Sequence, residues 1–391
     1  MVIETKEIPI KIGGQCIKCL TCYRACPFEA ISIVNFHPEI NVELCQLCGI
    51  CASVCPRHAI EITYYDTESL INYVRIQKET LNTANLVVVC RGSSPPSCEI
   101  LDVLKSQNMD RFALLRLPCV GRLTAEFYMQ ALLIGIERII AIQCEENFCR
   151  FEKGSQNNTR NILRVRSMLA DLGYADDVVT IIENAPRAIY DTEKCVGCDK
   201  CEFICPFGAI KAQPLATPQV DPNLCTGCGA CALVCPHLAI QLKGFEYEVL
   251  SRTIQESKTR ADELKAKGVS PVILVFCCQW SEFSFLDAST SSPWGENVIH
   301  IEIPCFGALD PLYILEAFNL GFDGVLTVVC SDDDCKLKEG RGVAEGNASA
   351  LRKTLGKLGL EARFELFKTS PRDVGSLRSK LDSFIARISS M

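Results

Sequence analysis

The sequence has few of the groups on which most enzyme chemistry depends. Its 391 residues include only four histidines, and none of them is flanked as the base of a catalytic nucleophile would be. No Gly-x-Gly-x-x-Gly follows a predicted strand, and no Gly-x4-Gly-Lys-Ser/Thr loop is present. These absences argue against a dinucleotide-binding turn and against a phosphate-binding loop of the NTPase type.

Excess positive charge and long apolar runs are also missing. The 40 Lys and Arg residues are outnumbered by 47 Asp and Glu residues, so phosphate contacts to nucleic acid are not expected. The most apolar region is interrupted by Glu137 and Arg138, and no apolar core of a secretory signal lies in residues 1–20. We expect a cytoplasmic globular protein of two to four domains without a transmembrane segment.

Cysteine is the residue that the sequence has in excess, with 26 copies. Disulfide frameworks belong to small secreted domains, whereas this chain is large and has no recognisable export signal. Cysteines in such numbers in a cytosolic protein are most often metal ligands. The cysteines therefore predict metal centres.

Sixteen of the cysteines form one motif that occurs four times. Each copy reads Cys-x2-Cys-x2-Cys-x3-Cys-Pro and is followed two residues later by Ala-Ile. The four copies begin at Cys16, Cys45, Cys195 and Cys225. This spacing is that of the bacterial two-cluster ferredoxins, in which the fourth cysteine of one motif completes the other cluster.

The spacing therefore predicts four [4Fe–4S] clusters. Their predicted ligand sets are Cys16, Cys19, Cys22 and Cys55; Cys45, Cys48, Cys51 and Cys26; Cys195, Cys198, Cys201 and Cys235; and Cys225, Cys228, Cys231 and Cys205. Zinc is the alternative, but tetrahedral zinc is typically bound by two Cys-x2-Cys pairs rather than by triplets with a distant fourth ligand. Residues 1–62 and 190–243 resemble bacterial-type ferredoxin modules.

A second set of cysteines shows that the chain is a tandem duplication. Cys90, Cys119, Cys144 and Cys149 of the first copy match Cys278, Cys305, Cys330 and Cys335 of the second. Three of the matches lie 186 residues apart, and both copies contain Pro-Cys-x-Gly around the second cysteine. Each repeat therefore consists of a cysteine-dense module and a second module of different pattern.

The second module alternates apolar runs with helical patterns, which predicts a parallel sheet wound by crossover helices. The predicted strands are LVVV, FALLRL, RIIAIQ and DVVTIIE in the first copy and VILVF, VIHIEI, GVLTVV and ARFELF in the second. Helices are predicted near 99–108, 122–134 and 156–172 of the first copy, and Leu172-Gly173 predicts the end of the last one. The predicted fold is α/β and α+β multidomain, with two ferredoxin-like cluster modules alternating with two parallel-sheet α/β modules. The predicted boundaries are 1–62, 63–186, 187–245 and 246–391.

Three cysteines of each α/β module directly follow predicted strands. The carboxyl ends of parallel strands gather at one edge of a sheet, where ligands bind. Four thiolates meeting there suit a [2Fe–2S] cluster. Two alternatives remain at this point, because buried cysteine also packs as a small apolar residue and exposed thiols take part in redox chemistry.

Residues 271–370 are similar to the delta subunit family of methyl-viologen-reducing hydrogenase. The resemblance rests on VILVFCCQW, IPCFGALDP and AFNLGFDGVLTVVC, and residues 85–158 match more loosely through their four cysteines. It implies a [2Fe–2S] cluster and electron transfer to a heterodisulfide-reductase-A-like flavoprotein. The chain departs from the family pattern at two places. The family usually has a cysteine at the position of Ser281, and it favours glycine in the loop where this chain has Asp332 to Asp334.

These patterns predict an iron–sulfur electron-transfer subunit of a cytoplasmic, heterodisulfide-reductase-like complex. It would relay single electrons between a donor or acceptor subunit and the flavoprotein, with no catalytic residue of its own. One alternative is a catalytic subunit that binds flavin or substrate in an α/β module, for which the loop RGSSPPSC offers a weak phosphate site. The other is a structural scaffold or redox sensor with degenerate α/β modules.

Overall fold

The structure is a computed structural model that describes residues 10–62, 66–91, 104, 109, 111–149, 151–213, 216–278, 295–331, 340–369 and 376–391. Several sequence predictions lie outside these residues: the ligand Cys335, a helix near 99–108, most of the RGSSPPSC loop, and the departures at Ser281 and Asp332 to Asp334. The chain divides into two compact units, one mainly within residues 1–94 and 109–184 and the other mainly within 185–283 and 294–391.

The first unit begins with a small module built from short strands and one-turn helices. Its elements are β1 (Ile10–Ile12), α1 (Thr21–Ala25), β2 (Ile31–Val34), β3 (His37–Ile40), α2 (Ile50–Ser53) and β4 (Ile60–Ile62). Strand β1 pairs antiparallel with β4, and β2 pairs antiparallel with β3. We call this part the first dicluster module.

The second part of this unit is a four-stranded sheet with helices. Its elements are α3 (Thr67–Leu81), β5 (Asn85–Cys90), β6 (Ala113–Leu117), α4 (Ala125–Leu133), β7 (Arg138–Cys144), α5 (Gly154–Asp171) and β8 (Val179–Asn184). The strand order is β6-β5-β7-β8, and every pair is parallel. Residues 86–89 of β5 are 0% exposed, as expected for a strand covered on both faces.

The second unit repeats both parts. Its dicluster module contains β9 (Ala188–Tyr190), α6 (Lys200–Ile204), β10 (Ile210–Gln213), β11 (Ala216–Val220), α7 (Ala230–Leu233) and β12 (Ile240–Leu242). Its α/β module contains α8 (Tyr247–Ala266), β13 (Ile273–Cys278), β14 (Val298–Ile303), α9 (Pro311–Asn319), β15 (Gly324–Cys330), α10 (Gly340–Lys357), β16 (Phe364–Thr369) and α11 (Ser376–Ser389). The sheet order, β14-β13-β15-β16, again has only parallel pairs.

The predicted fold class is confirmed, and the predicted strands of both sheets are found where the sequence places them. The predicted stop near Leu172 and Gly173 is also confirmed, because α5 ends at Asp171 and Gly173 has φ +81°. Helix α8 was not predicted. None of the helices in the described part of the chain is long and apolar enough to cross a membrane.

Candidate iron–sulfur sites

The two motifs of the first dicluster module exchange their fourth cysteines. Cys45, Cys48 and Cys51 line a small apolar cavity together with Cys26, which belongs to the preceding motif. The same cavity is closed by the apolar side chains of Ile10, Phe28, Ala30, Ile31 and Ile40. These four cysteines form the set that the spacing assigns to one cluster, and we call the cavity the inner site of the first unit.

The second dicluster module has two such cavities. Cys225, Cys228 and Cys231 line one with Cys205, and Cys195, Cys198 and Cys201 line the other with Cys235. In each case, three cysteines come from one motif and the fourth comes from the other. We call the Cys225 cavity the inner site of the second unit and the Cys195 cavity its outer site.

The outer site of the first unit is indicated by the surroundings of Cys22. Burial raises the pKa of Cys22, and the neighbouring thiolates Cys16 and Cys55 raise it further. Cys55, the fourth cysteine of the second motif, is therefore close to the first triplet. Cys19 is exposed, as is its counterpart Cys198 in the second unit, so both outer sites reach the surface.

The cysteine loops curl because their spacers use the left-handed region of backbone space. The second spacer residue after the first cysteine has positive φ in all four motifs, at Lys18, Leu47, Gly197 and Gly227. Only glycine adopts this conformation without steric cost. The backbone N–H of Lys18 points back to Cys16 Sγ at 3.4 Å, so the curl directs amide dipoles at the sulfur.

The Ala-Ile pair behind each motif also has a structural role. The backbone N–H groups of Ala59, Ala209 and Ala239 donate to the sulfur of the fourth cysteine, Cys55, Cys205 and Cys235, at 3.3 Å. All four alanines of the pattern are at most 2% exposed. The buried alanine therefore packs directly behind the fourth cysteine, which is a structural reason for the pair to recur.

The four α/β cysteines of the first unit converge at the edge of the sheet. Cys90 Sγ lies 3.6 Å from Cys144 Sγ, and the Cys90 thiol also contacts Cys119. Cys144 in turn contacts Cys149. The four sulfurs thus form a continuous chain of contacts, which we call the four-thiol site.

The spacing in this site suits thiolates that share metal atoms. Two thiolates bound to one tetrahedral metal at about 2.3 Å stand about 3.8 Å apart, close to the Cys90–Cys144 separation. Within the described residues, no three His, Cys, Asp or Glu side chains surround one point as the ligands of a single ion would. A [2Fe–2S] cluster makes a different demand, because its four thiolates are divided between two irons.

Helix α5 favours the thiolate form of one member of this site. The hydrogen bond from Cys144 and those from Ser155 lower the pKa of Cys149 to about 6, although burial opposes the shift. Ser155 is the second residue of α5, whose free N–H groups and dipole favour negative charge. Cys149 is therefore prepared to bind a metal as an anion near neutral pH.

Glycines give the sulfurs their space. A Cβ on Gly154 would lie 2.4 Å from Cys119 Sγ and 3.4 Å from Cys149 Sγ, and a Cβ on Gly121 would lie 2.5 Å from the Gly154 carbonyl oxygen. The Gly121 N–H donates to Cys119 Sγ at 3.3 Å. This explains the Pro-Cys-x-Gly pattern, whose glycine both packs and donates.

The second unit repeats the part of the arrangement that is described. Cys278 Sγ lies 3.7 Å from Cys330 Sγ, and the Gly307 N–H donates to Cys305 Sγ at 3.4 Å. Cys335, the fourth predicted ligand, lies outside the described residues. Helix α10 begins at Gly340, which is the counterpart of Gly154 at the start of α5.

Comparison with known families gives matches of two kinds, to the cysteine-dense modules and to the α/β modules. A family described as 4Fe-4S dicluster domain matches residues 15–60, and another of the same description matches 194–239. Together with the cysteine cavities, these matches define an iron–sulfur protein. The family described as methyl-viologen-reducing hydrogenase, delta subunit, matches residues 86–195 and 273–391, more than half of the chain. The chain belongs to this family.

Individual relatives come from several redox systems. The chain is 32% identical to the A subunit of the ferredoxin:CoB-CoM heterodisulfide reductase of Methanosarcina mazei over 175 residues, which are 44% of this chain and 21% of the relative. It is 28% identical to the iron-sulfur D subunit of the vhu F420-non-reducing hydrogenase of Methanocaldococcus jannaschii over 31% of this chain and 92% of the relative. It is 47% identical to the B subunit of the ion-translocating oxidoreductase complex of Methanosarcina acetivorans over 57 residues, 15% of this chain and 22% of the relative.

The chain spans about a fifth of the length of the heterodisulfide reductase subunits that it matches. These relationships identify an iron–sulfur electron-transfer protein and confirm the two resemblances seen in the sequence. Sequence reasoning did not find the packing roles of Gly121 and Gly154, which are visible in the sequence only as glycines near cysteines.

Proposed function

We propose that the chain is an electron relay with four [4Fe–4S] clusters and a [2Fe–2S] cluster in each α/β module. The twenty-four matched cysteines of the two repeats are the proposed ligands, in the sets given above. The observation that carries the proposal is the exchange of fourth cysteines around the cavities. The proposed modules are residues 1–62, 63–186, 187–245 and 246–391.

When bound, the clusters supply one-electron reduction and oxidation. The protein determines which sites lie next to one another. In the first unit, burial is the main cause that raises the pKa of Cys51 in the inner site, and the thiolates nearest to it add to this effect. The charge of Cys22 in the outer site makes a smaller contribution, so the two sites are close to each other. Likewise, the charge of Cys48 acts on Cys119 of the four-thiol site. The proposed route therefore links the exposed outer site, the inner site and the four-thiol site in this spatial order.

The proposed partners are a heterodisulfide-reductase-A-like flavoprotein and a protein that donates or accepts electrons. We place the complex in the cytoplasm. The similarity to the named components of redox complexes supports this proposal. Purification of the native complex from its source, followed by identification of its components, tests it, and recovery of the chain without a flavoprotein would contradict it.

Metal analysis tests the cofactors directly. Anaerobically purified protein is expected to contain about sixteen iron and sixteen sulfide atoms from the cubanes and about four of each from the two smaller clusters. Zinc in place of iron would refute the relay. A flavin absorbance spectrum would instead favour a catalytic role for the chain.

Two single variants distinguish ligation from packing in the second unit. Cys330→Ser is expected to remove about two irons, because it takes one ligand from a [2Fe–2S] cluster. Cys277→Ser is the matched control, since Cys277 is also buried in the same sheet but is not a proposed ligand. Equal iron content and unchanged electron transfer in both variants would favour the scaffold alternative.

A further inference from the structure

A buried arginine lies where the first dicluster module meets its own α/β module. Arg122 ends the 3₁₀ turn Val120–Arg122 that follows Cys119, and it is 6% exposed. Its side chain lies across Gly49: a Cβ on Gly49 would be 2.8 Å from Arg122 Nε and 2.9 Å from Nη2. Gly49 directly follows Cys48, so the guanidinium contacts the loop of the inner site.

Hydrogen bonds fix this contact. The Ser53 hydroxyl donates to the Gly121 carbonyl at 2.7 Å, and the Asn157 amide donates to both the Ser53 oxygen at 2.8 Å and the Gly121 carbonyl at 2.7 Å. Ser53 belongs to α2 of the dicluster module, whereas Gly121 and Asn157 belong to the α/β module. The residue next to Gly121, Arg122, is thereby held in one place.

The positive charge of Arg122 acts on the inner site. Its guanidinium lies across Gly49, directly after the proposed ligand Cys48, and it interacts electrostatically with the Cys48 sulfur. The backbone N–H of Arg122 also donates to the Cys119 carbonyl at 3.4 Å, which places the residue next to the four-thiol site. A buried cation at this point is screened less than one on the surface.

The second unit has the same packing without the charge. A Cβ on Gly229, which follows Cys228, would lie 2.6 Å from Ala308 Cβ. Ala308 ends the 3₁₀ turn Phe306–Ala308 after Cys305, and it is therefore the counterpart of Arg122. The same glycine contact therefore occurs in both units, but only the first unit has a buried cation at it.

We propose that Arg122 sets the reduction potential of the cluster at the inner site of the first unit, making that cluster easier to reduce than its counterpart beside Ala308. This inference rests on the proposed function, since it requires clusters at the inner sites. A reduced cluster carries one more negative charge, so a fixed cation beside it stabilises the reduced form. Arg122 acts only by placing a positive charge beside the cluster, and it is not a catalytic residue.

Redox titration of the anaerobic full-length protein, followed by EPR spectroscopy, tests the proposal. Arg122→Gln is expected to make reduction of one cluster at least tenfold less favourable, which for one electron is a fall of about 59 mV. Arg122→Lys retains the charge and is expected to restore most of the difference. Unchanged potentials in Arg122→Gln, with iron and sulfide as in the wild type, would overturn the proposal.

A reciprocal variant, Ala308→Arg, tests the same charge without changing position 122, where a substitution could disturb folding. Ala308→Arg is expected to raise the potential of one cluster in the second unit by a similar amount, and a protein that keeps its iron but shows no shift would count against the role of the charge. Protein without iron, or with zinc, would refute the proposed function itself. The two failures are therefore distinguishable.

Discussion

At the scale of single residues, the cysteine loops accept backbone strain in order to surround their sites. Lys18 has φ +59°, whereas its counterpart in the second unit is Gly197 with φ +66°. A non-glycine residue in this region costs about 1–2 kcal/mol, and the exposed Lys18 side chain buries little that would compensate. At this position, the first unit therefore carries strain that the second avoids.

Lys18→Gly is expected to be more stable than Lys18→Ala by up to about 1 kcal/mol, because glycine relieves the strain but gains freedom in the unfolded chain. The comparison with alanine cancels the loss of the lysine side chain. The measurement is the urea concentration at which the cluster absorbance is lost. A midpoint for Lys18→Ala at or above that of Lys18→Gly would contradict the explanation.

The second prediction at this scale concerns Gly154. Gly154→Ala would place a carbon 2.4 Å from Cys119 Sγ, so we expect loss of about two irons together with a lower melting temperature. Gly346→Ala is the control, because Gly346 lies in α10 with open space around it, and alanine there is expected to stabilise by about 0.5–1 kcal/mol. Full iron content in Gly154→Ala would show that the sulfur is free to move.

At the scale of elements, α11 is attached to the edge strand β16 by a carboxylate with two cationic partners. Glu365 Oε1 lies 2.5 Å from Lys380 Nζ, and Arg387 Nη2 donates to Glu365 Oε2 at 2.6 Å. Burial raises the pKa of Glu365, but the hydrogen bonds from Lys380 and Arg387 outweigh it and lower the pKa overall. The stabilisation is therefore present above the ordinary pKa of 4.5 and is lost as the pH falls through the lower, folded-state value.

Glu365→Gln is expected to lower the free energy of unfolding by about 1 kcal/mol, and the difference from wild type should stay constant from about pH 6 to 8, where the carboxylate is ionised throughout. Asp382→Asn in the same helix is the control, because the Arg378–Asp382 pair is more than half exposed and contributes about 0–0.5 kcal/mol. Equal effects of the two substitutions on thermal unfolding would argue against the contribution of burial.

The elements also show what the sequence predicts and what it does not. Strands such as β5 are continuous apolar runs, so their place in a sheet buried on both faces could be predicted. Helix α8 was missed because its buried face includes Thr253 and Ser257, which resemble surface residues in the sequence. In the helix, their hydroxyls donate to the carbonyls of Val249 and Thr253, which removes the cost of burying them.

The ligand motifs could be predicted because their residues are close together in the sequence. The contacts of the glycines and of Arg122 could not be predicted, because they join residues that are far apart in the sequence. The cysteine spacing of a ferredoxin loop is fixed by the geometry of one cluster. In contrast, the contact of Gly49 with Arg122 joins residues that are distant in the sequence and depends on how two modules pack. Only the comparison of the two repeats contained a trace of it.

At the scale of the whole molecule, the four modules depend on their sites to different degrees. The core of the second dicluster module consists largely of cysteines and of Ala188, Ile210 and Ile240. The sheets, in contrast, have fully buried apolar strands such as β5 and β13. Ligands that hold metal contribute the binding free energy to folding, so small modules rely on it most.

Removal of the clusters with a chelator is therefore expected to unfold the dicluster modules before the sheets. Hydrogen exchange followed by mass spectrometry should show loss of protection in residues 10–62 and 188–242, while β5 and β13 remain protected. Simultaneous loss of protection in all four modules would show that each unit folds as one cooperative block.

The exposure of Cys19 and Cys198 has a consequence for how the protein decays. Dioxygen and peroxide reach thiolates and clusters at the surface before they reach those behind apolar side chains. In air, the outer sites are therefore the first to be damaged, while the inner sites keep their iron for longer. An aerobically handled sample would retain the cofactors of its inner sites after those of the exposed outer sites have been lost.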